Sequence, residues 1–474
     1  KIGMFNSKYF YIPLSIIFIF CYPIVSADVL YRDDVARSVY SFSAWGGLGR
    51  PLSDFVMHIF SLNFDLLPSA APLPLFFGIF IASAIIYYIC NYLVEKEDSL
   101  QISIMLTIIF VSPLFIQNVS FQFDALTMIL ANSLCMLSFF VFDIRSFPKS
   151  LLSIVSLFSC LSLYQPCANI FISLIAYNAL FGNGKNKSYH LALTFVVTYA
   201  LYYVTMFYIM KYGADNRSIM VSFADIPSSL YESINKTFKY IEPIGISFLI
   251  PVYIGLLSYF VCYVKKVKHQ LSLGFLECSS NLLSPLALLL ALPGPAFLLK
   301  EGITDIRVLS GASASIAIVI FSIYKLFGKK SFYFISVVML FITITTSFQF
   351  SNAIKEQRKY EEFVMEMVAN DLGRLDFNGE VYTYGRIYDS PITWKMIEAT
   401  PFLKFVYSPA VPWIAVSMMQ QLSVKNLAPW IKTVQVNKLN EVCEKKSSPI
   451  IKTRYYNVFK IGEDIIVVYG DRVC

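Results

Sequence analysis

The chain has 474 residues, which would form roughly three globular domains at about 150 residues each if it were soluble. Its composition does not provide the charged surfaces that such domains need: 57% of the residues are hydrophobic and only 15% are charged, against about 25% charged in soluble domains. The mean hydropathy is +0.61. These values exclude a soluble protein, a disordered chain and a fibrous repeat, and the net charge of +7 becomes informative only once each charge is assigned to one side of a membrane.

Long apolar runs dominate the first three quarters of the chain. An apolar run of about 17 to 25 residues predicts a membrane-spanning helix, because only a helix satisfies its own backbone inside hydrocarbon. We predict eleven spans, near residues 9–26, 73–93, 101–117, 125–143, 150–165, 167–181, 190–210, 244–264, 281–299, 307–326 and 331–350. The predicted fold is therefore a polytopic α-helical membrane protein.

The distribution of charge predicts the orientation. With a cytoplasmic N-terminus, the inner segments carry thirteen basic residues and five acids, whereas the outer loops carry nine basic residues and twelve acids. The positive-inside rule favours this arrangement. Residues 1–350 then form a transmembrane module with a first outer loop at 27–72, and residues 351–474 form a small periplasmic α/β domain. Val25-Ser26-Ala27 also resembles a signal-peptide cleavage site, and cleavage there would leave the downstream topology unchanged.

The first outer loop concentrates carboxylates and guanidinium groups. Apolar residues recur there at helical spacing, which predicts a short amphipathic helix at the membrane surface, at Val35, Val39, Phe42 and Trp45. Arg37 lies within reach of both Asp33 and Asp34, so an ion pair on a surface helix is one interpretation. The other is catalytic, because a carboxylate can deprotonate a hydroxyl while guanidinium groups hold a phosphate. Nearby charges extend the second interpretation to Asp28, Arg32 and Arg50.

A glycine-rich tract precedes Arg50. The residues Gly46-Gly47-Leu48-Gly49-Arg50-Pro51-Leu52 match neither a dinucleotide-binding nor a phosphate-loop pattern, and glycines alone indicate a turn. Arg50 is the more informative residue, because arginine donates a planar fork to phosphate oxygens.

Together, Asp33-Asp34-x-x-Arg37, Trp45 and Gly49-Arg50-Pro51-Leu52, placed after a first transmembrane helix, resemble the Gtr-type serotype-converting glucosyltransferases carried by bacteriophages. The resemblance implies membership of the GT-C superfamily of polytopic glycosyltransferases in the bacterial inner membrane. It implies transfer of glucose from undecaprenyl-phosphate glucose to O-antigen on the periplasmic face, beside a companion flippase and a lipid-glucose synthase. It also implies that an acid of the first outer loop, here Asp33 or Asp34, is the catalytic base.

The same chemistry fits the residues themselves. A lipid donor keeps its phosphate at the headgroup plane, and arginine alone can neutralise a monophosphate leaving group, so we expect neither a metal nor another cofactor. No nucleic-acid partner is expected, and membrane lipid surrounds the spans. We favour Asp33 as the base, with Asp34 as the structural partner of Arg37. The predicted substrate-binding residues are Asp28, Arg32, Arg37, Trp45, Arg50, Asp124, Gln165, Lys300 and Arg307.

The tail contains strand patterns at residues 381–385, 451–460 and 464–469, the last two joined around Gly462 as a hairpin. A helix is predicted near 353–373. Cys443 and Cys474 could pair in an oxidising compartment.

Two other functions fit a polytopic protein of this kind, a flippase for lipid-linked oligosaccharides and an O-antigen polymerase. A flippase should line its cavity with basic residues and needs no exported domain, so the uncharged span interiors and the polar tail disfavour it. The polymerase is not excluded by the sequence.

Overall fold

The computed structural model describes residues 7–182, 184, 186–212, 219–269, 282–303 and 305–470. In chain order the α-helices are α1 (Lys8–Ala27), α2 (Asp33–Tyr40), α3 (Pro51–Ser61), α4 (Leu73–Tyr88), α5 (Ser99–Phe110), α6 (Ile116–Ser120), α7 (Ala125–Val141), α8 (Phe147–Tyr164), α9 (Asn169–Phe181), α10 (Ser188–Tyr203), α11 (Ile226–Ile241), α12 (Ile246–His269), α13 (Ser284–Ala291), α14 (Ser310–Phe327), α15 (Lys329–Gly373), α16 (Pro391–Ala399), α17 (Leu403–Val406), α18 (Pro412–Gln421) and α19 (Lys432–Glu444). The strands are β1 (Val381–Gly385), β2 (Ile451–Lys452), β3 (Tyr456–Ile461) and β4 (Asp464–Tyr469).

Within those described ranges, seven helical segments are long and apolar enough to cross a membrane, or eight if a bent pair counts as one span. The seven are Lys8–Ala27, Leu73–Leu93, Phe147–Phe181, Ser188–Ile209, Ile246–Lys268, Ser310–Phe327 and Lys329–Gly373. The structure therefore supports a polytopic helical protein, while the predicted number of eleven spans is not confirmed.

The differences from the predicted spans have local causes. The run near 101–117 bends by 50° between Ser99–Phe110 and Pro113–Ser120, because a proline removes a backbone donor and crowds the preceding turn. Prolines also break the run near 281–299, whose described part is α13 followed by a 3-10 turn at Gly294–Leu298. The runs near 150–165 and 167–181 are joined through a 3-10 turn at Gln165–Ala168, and they count as one 35-residue segment. The helix α7 is apolar but only 17 residues long.

The chain divides into two compact units. The first comprises residues Lys1–Pro23 and Ser43–Phe348, and the second comprises Ile24–Phe42 and Gln349–Cys474. In the first unit, α14 packs against α5, α9 and α12, and serine hydroxyls connect neighbouring helices. For example, Ser173 Oγ donates to Gly311 O at 2.9 Å, an arrangement common where lipid provides no competing partners.

The second unit is built on a four-stranded sheet of order β1-β4-β3-β2, in which β1 and β4 are parallel and the other pairs antiparallel. Neighbouring side chains of β4 enter opposite cores: Val467 packs with α15 and α18, and Val468 packs with α19. Because both faces of the sheet are covered, its strands are almost continuously apolar.

Most of the predicted elements of the tail are present. Strand β1 and the β3–β4 hairpin are confirmed, with Gly462 at a φ of 60° in the turn. The prediction of one strand over 451–460 was wrong, because the hydroxyl of Thr453 accepts from the backbone of Tyr455 and Tyr456 and thereby turns the chain between β2 and β3. Cys443 is disulfide-bonded; Cys474 lies outside the described residues, so their pairing stays a prediction.

Candidate functional site

The two adjacent carboxylates of the first outer loop occupy different environments in the second unit. Asp34 is fully buried, and its Oδ2 accepts from the backbone N–H of Tyr31 at 3.4 Å. Its neighbour Val35 lies in the core beneath the sheet. Asp33, the first residue of α2, is only half-buried. Asp34 therefore has a structural environment and Asp33 is the more accessible carboxylate, while the choice of Asp33 as base stays a prediction.

The charged residues around α2 contact aromatic rings and backbone. Arg37 is 5% exposed, donates from Nη1 to Phe42 O at 3.3 Å, and lies 5.1 Å from the Phe42 ring centroid. Arg32 lies 5.5 Å from the ring of Tyr31. Asp28 and Arg32 both have a positive φ, at 49° and 48°, which fixes the chain sharply before the helix. Burial of Arg37 leaves little of its surface for a ligand.

The apolar pattern that predicted one helix through Trp45 was wrong beyond Tyr40. The helix α2 ends there, because Ser41 adopts the left-handed conformation with a φ of 50°. Trp45 belongs to the first unit, where its ring is 2% exposed, in an apolar cluster with Met57, Leu67, Phe123 and Leu126. The side chain of Trp45 therefore contributes to a core in this structure.

The glycine-rich tract is a fixed turn. Gly46–Leu48 forms a 3-10 helix, and the backbone N–H of Arg50 donates back to Trp45 O at 3.0 Å. Asp54, in the first turn of α3, accepts through Oδ1 from the N–H of Trp45 at 3.3 Å and through Oδ2 from the N–H of Gly46. Sequence reasoning missed Asp54, although an acid in the first turn of a helix that follows Pro51 is a recognisable signal.

Arg50 emerges from this turn at the N-terminus of α3. Its Nε donates to Gln165 Oε1 at 2.7 Å, and its guanidinium carbon lies 4.4 Å from the ring centroid of Tyr164. Burial is the main cause that lowers the pKa of the Arg50 guanidinium; Tyr164 and Asp124 oppose this effect and Arg307 adds to it. Arginine nevertheless stays protonated in proteins, so the structure holds a partly buried cation here.

Two buried amides hold the backbone of a second arginine, Arg307, whose Nε lies 3.7 Å from Asp305 Oδ2. The backbone N–H of Arg307 donates to Gln117 Oε1 at 3.0 Å, and its carbonyl accepts from Asn118 Nδ2 at 3.0 Å. The Arg307 guanidinium carbon lies 5.0 Å from the Phe121 ring centroid. The hydroxyl of Tyr164 donates to the same Arg307 carbonyl at 3.4 Å. Gln117 and Asn118 therefore hold the backbone of an arginine.

The structure thus brings together four predicted site residues from separate segments of the first unit. We call Arg50, Asp124, Gln165 and Arg307 the guanidinium cluster; Arg307 and Asp124 both act electrostatically on Arg50. Asp124 is 4% exposed and precedes α7. Lys300 is exposed, and in the described part of the chain its side chain makes no hydrogen bond or ion pair with the cluster.

Sequence reasoning also missed Tyr202. Its hydroxyl donates to Gly49 O at 2.7 Å and accepts from Gln165 Nε2 at 2.7 Å. A tyrosine near the end of an apolar run is typical of an anchor at the membrane–water interface. No local sequence pattern separates Tyr202 from such anchors. As for metals, the described ranges contain no group of three His, Cys, Asp or Glu side chains arranged as ligands.

The fold and the cluster define a class: a helical protein with several membrane-span-like segments, a small α/β unit and two partly buried arginines in the first unit. The sequence matches the family described as Glucosyl transferase GtrII over residues 22–318. This chain belongs to the GtrII glucosyl transferase family. It is also 26% identical, over 98% of its length and the whole of the relative, to a protein of Salmonella phage P22 named "Uncharacterized 55.3 kDa protein in gtrB 5'region". No solved structure matches the chain.

Proposed function

We propose that this protein is an inverting, serotype-converting glucosyltransferase that moves glucose from undecaprenyl-phosphate glucose to a sugar hydroxyl of O-antigen. The observation that carries the proposal is the guanidinium cluster in a chain of the GtrII glucosyl transferase family. Arg50 and Arg307 are partly buried. Asp305 Oδ2 lies 3.7 Å from Arg307 Nε, whereas Arg50 Nε bonds to the neutral amide of Gln165, so the charge of Arg50 is available to an anion, and charge-assisted hydrogen bonds are strong. The phosphate of the donor is such an anion.

The reaction needs three participants. The acceptor hydroxyl oxygen attacks the anomeric carbon, the bond from that carbon to the phosphate oxygen breaks, and a carboxylate takes the hydroxyl proton. In the proposal Asp33 is the base, and Arg50 with Arg307 stabilises the charge that develops on the departing lipid phosphate. A monophosphate leaving group carries less charge than a pyrophosphate, so we expect transfer to proceed without a divalent cation. Equal rates with and without a chelator would support that expectation.

The proposed orientation places the N-terminus in the cytoplasm and residues 351–474 in the periplasm, with the spans in the bacterial inner membrane. The charge asymmetry of the loops supports it, and so does the disulfide at Cys443, because disulfides persist in oxidising compartments. Reporter fusions at residue 450 test it: a cytoplasmic signal there would contradict both the topology and the mechanism.

The proposed partners are proteins that load and translocate the donor. The name of the phage relative places it in the region 5' of gtrB, and such a gene context supports companion proteins for this chain, a flippase and a lipid-glucose synthase. Membrane lipid and the O-antigen acceptor complete the set.

The decisive experiment supplies the donor directly. Membranes that contain this chain, but no companion proteins, receive undecaprenyl-phosphate glucose with radiolabelled glucose and purified O-antigen. We expect label in the polysaccharide and a new linkage in its methylation analysis. A flippase would move lipid without labelling the acceptor, and a polymerase would lengthen the chains instead. Either outcome would contradict the proposal.

A further inference from the structure

The amide of Gln165 has no donor left for a substrate. Its two N–H groups donate to Leu48 O at 2.8 Å and to the Tyr202 hydroxyl at 2.7 Å, and its Oε1 accepts from Arg50 Nε at 2.7 Å. A primary amide has two donors, so a phosphate oxygen could accept from Gln165 only if one of these bonds broke. The sequence placed Gln165 among the substrate contacts, whereas its bonds tie it to Arg50 and to the turn.

The turn before Arg50 is held from the other side by Tyr202. The hydroxyl of Tyr202 donates to Gly49 O at 2.7 Å while it accepts from Gln165. Gly49 has a φ of 75°, and a Cβ there would lie 2.7 Å from the Tyr202 hydroxyl and 3.3 Å from Gln165 Nε2. The carbonyls of Leu48 and Gly49 thus both accept hydrogen bonds, from Gln165 and Tyr202. Gln165 therefore holds both the backbone just before Arg50 and the Arg50 side chain.

These contacts determine the direction of the guanidinium group. Nε is bonded to Gln165 and one face lies on the Tyr164 ring. Nη1 and Nη2 donate no hydrogen bond to any residue that the structure describes, so this edge remains for a ligand. Because Gln165 is neutral, it orients Arg50 without cancelling its charge, unlike a carboxylate in the same position.

We propose that Gln165 and Tyr202 are positioning residues that aim the Nη1–Nη2 edge of Arg50 at a lipid-linked phosphate. The proposal rests on the proposed donor, and it assigns both residues an effect exerted through Arg50 rather than by contact with substrate. Neither residue forms or breaks a bond in transfer.

A double-mutant cycle separates positioning from direct contact. The purified protein in detergent is titrated with undecaprenyl phosphate, and undecaprenol serves as the uncharged probe. We expect Arg50→Ala to weaken phosphate-lipid binding roughly 10- to 100-fold and Gln165→Ala roughly 3- to 10-fold, as for charged and neutral hydrogen bonds. The double variant should bind like Arg50→Ala alone. Losses that multiply in the double variant would show that Gln165 contacts the ligand itself and would overturn the proposal.

A hydroxyl deletion tests Tyr202 with little risk to folding. Tyr202→Phe keeps the ring and removes both hydrogen bonds, and we expect a loss of roughly 3- to 10-fold in phosphate-lipid affinity. Its matched control is Tyr199→Phe on the same helix, whose ring packs against Tyr202 and whose hydroxyl bonds to none of the described residues. Unchanged binding in Tyr202→Phe would overturn the role of Tyr202. An equal loss in both variants would overturn it as well.

The two lipids also distinguish failure of the proposed donor from failure of the positioning role. If the wild-type protein binds undecaprenol and undecaprenyl phosphate equally, the proposed donor is wrong and the positioning role falls with it. If the wild type prefers the phosphate lipid and the cycle is multiplicative, the donor stands and only the positioning role is wrong.

Discussion

The two halves of the first outer loop meet between Phe42 and Ser43, yet they belong to different units and hold their charges differently. The half before this junction buries a carboxylate, Asp34, against backbone in an α/β core. The half after it presents a cation, Arg50, that is held by a neutral amide and an aromatic ring. A cation whose hydrogen-bond partner is neutral keeps its net charge and can bind an anionic ligand. A carboxylate in a core instead bonds to groups of the protein and contributes to folding. We therefore expect a structural role for Asp34 and a binding role for Arg50, two residues of the same predicted loop.

The sharpest test of the carboxylate half is Asp33→Asn. Loss of a general base lowers turnover by a factor of roughly 10² to 10⁴, and because Asp33 is half-buried we expect normal yield. Glucose transfer at saturating donor measures the effect. Asp34→Asn is the control: its carboxylate is fully buried, so we expect a loss of about 1–3 kcal/mol in stability instead. Full activity in both variants would move the base elsewhere, to Asp28 or Asp124.

Arg50→Lys tests the cationic half while keeping the charge. Lysine has neither an Nε–H placed to donate to Gln165 nor a planar fork, so we expect a fall of roughly 10- to 100-fold in kcat/KM for the donor. Arg374→Lys changes an exposed arginine of the second unit and should leave transfer unchanged. Wild-type kinetics in Arg50→Lys would remove Arg50 from the phosphate site.

Gly49→Ala tests whether the turn itself positions Arg50. The left-handed conformation costs a non-glycine residue about 1–2 kcal/mol, and the new Cβ would meet the Tyr202 hydroxyl at 2.7 Å. We expect donor affinity to fall roughly 5- to 30-fold, measured by titration of the phosphate lipid. Gly47→Ala is the matched control, because a Cβ there has no heavy atom within 4 Å. Similar losses in both variants would mean that the tract tolerates no side chain for reasons unrelated to Arg50.

Much of the fold follows from local sequence. Apolar runs marked the membrane-span-like helices, and alternation with a central glycine marked the β3–β4 hairpin. Prolines account for two differences from the predicted spans, because length and hydropathy do not show that a helix bends at Pro113 or ends before the prolines near residue 294.

The site was predicted unevenly for a similar reason. Arg50 was found from the glycine-rich tract before it, and Asp124, Gln165 and Arg307 because polar residues at the ends of apolar runs are conspicuous. That they form one cluster depends on long-range contacts, such as the one between Arg50 and Gln165, which are 115 positions apart. Tyr202 was missed because its role consists entirely of such contacts.

The smallest expected effect concerns the stability of the fold at acid pH. It separates a charge paired with a carboxylate from a charge paired with a neutral amide. In the second unit Lys438 Nζ donates to Asp464 Oδ2 at 2.7 Å. This hydrogen bond lowers the pKa of the Asp464 carboxyl and raises the pKa of the Lys438 ammonium. A carboxyl whose folded pKa lies below its unfolded value stabilises the fold above the unfolded value, and that stability is lost as pH falls through the folded pKa. The loss should therefore occur below about pH 4.

We expect this pair to contribute about 0.2–1 kcal/mol, because 23% of the Lys438 side chain and 27% of the Asp464 side chain are exposed and water screens them. Thermal unfolding of the full-length protein between pH 3 and 7, followed by circular dichroism, should show a shallower acid slope in Lys438→Met. Lys395→Met breaks another 2.7 Å pair, with Glu398, that is 76% and 48% exposed, and it should change nothing measurable. The bond between Arg50 and Gln165 contains no group that titrates in this range, so acid should leave that bond unchanged. Equal slopes in wild type and Lys438→Met would show that the pair contributes nothing to the acid response of the second unit.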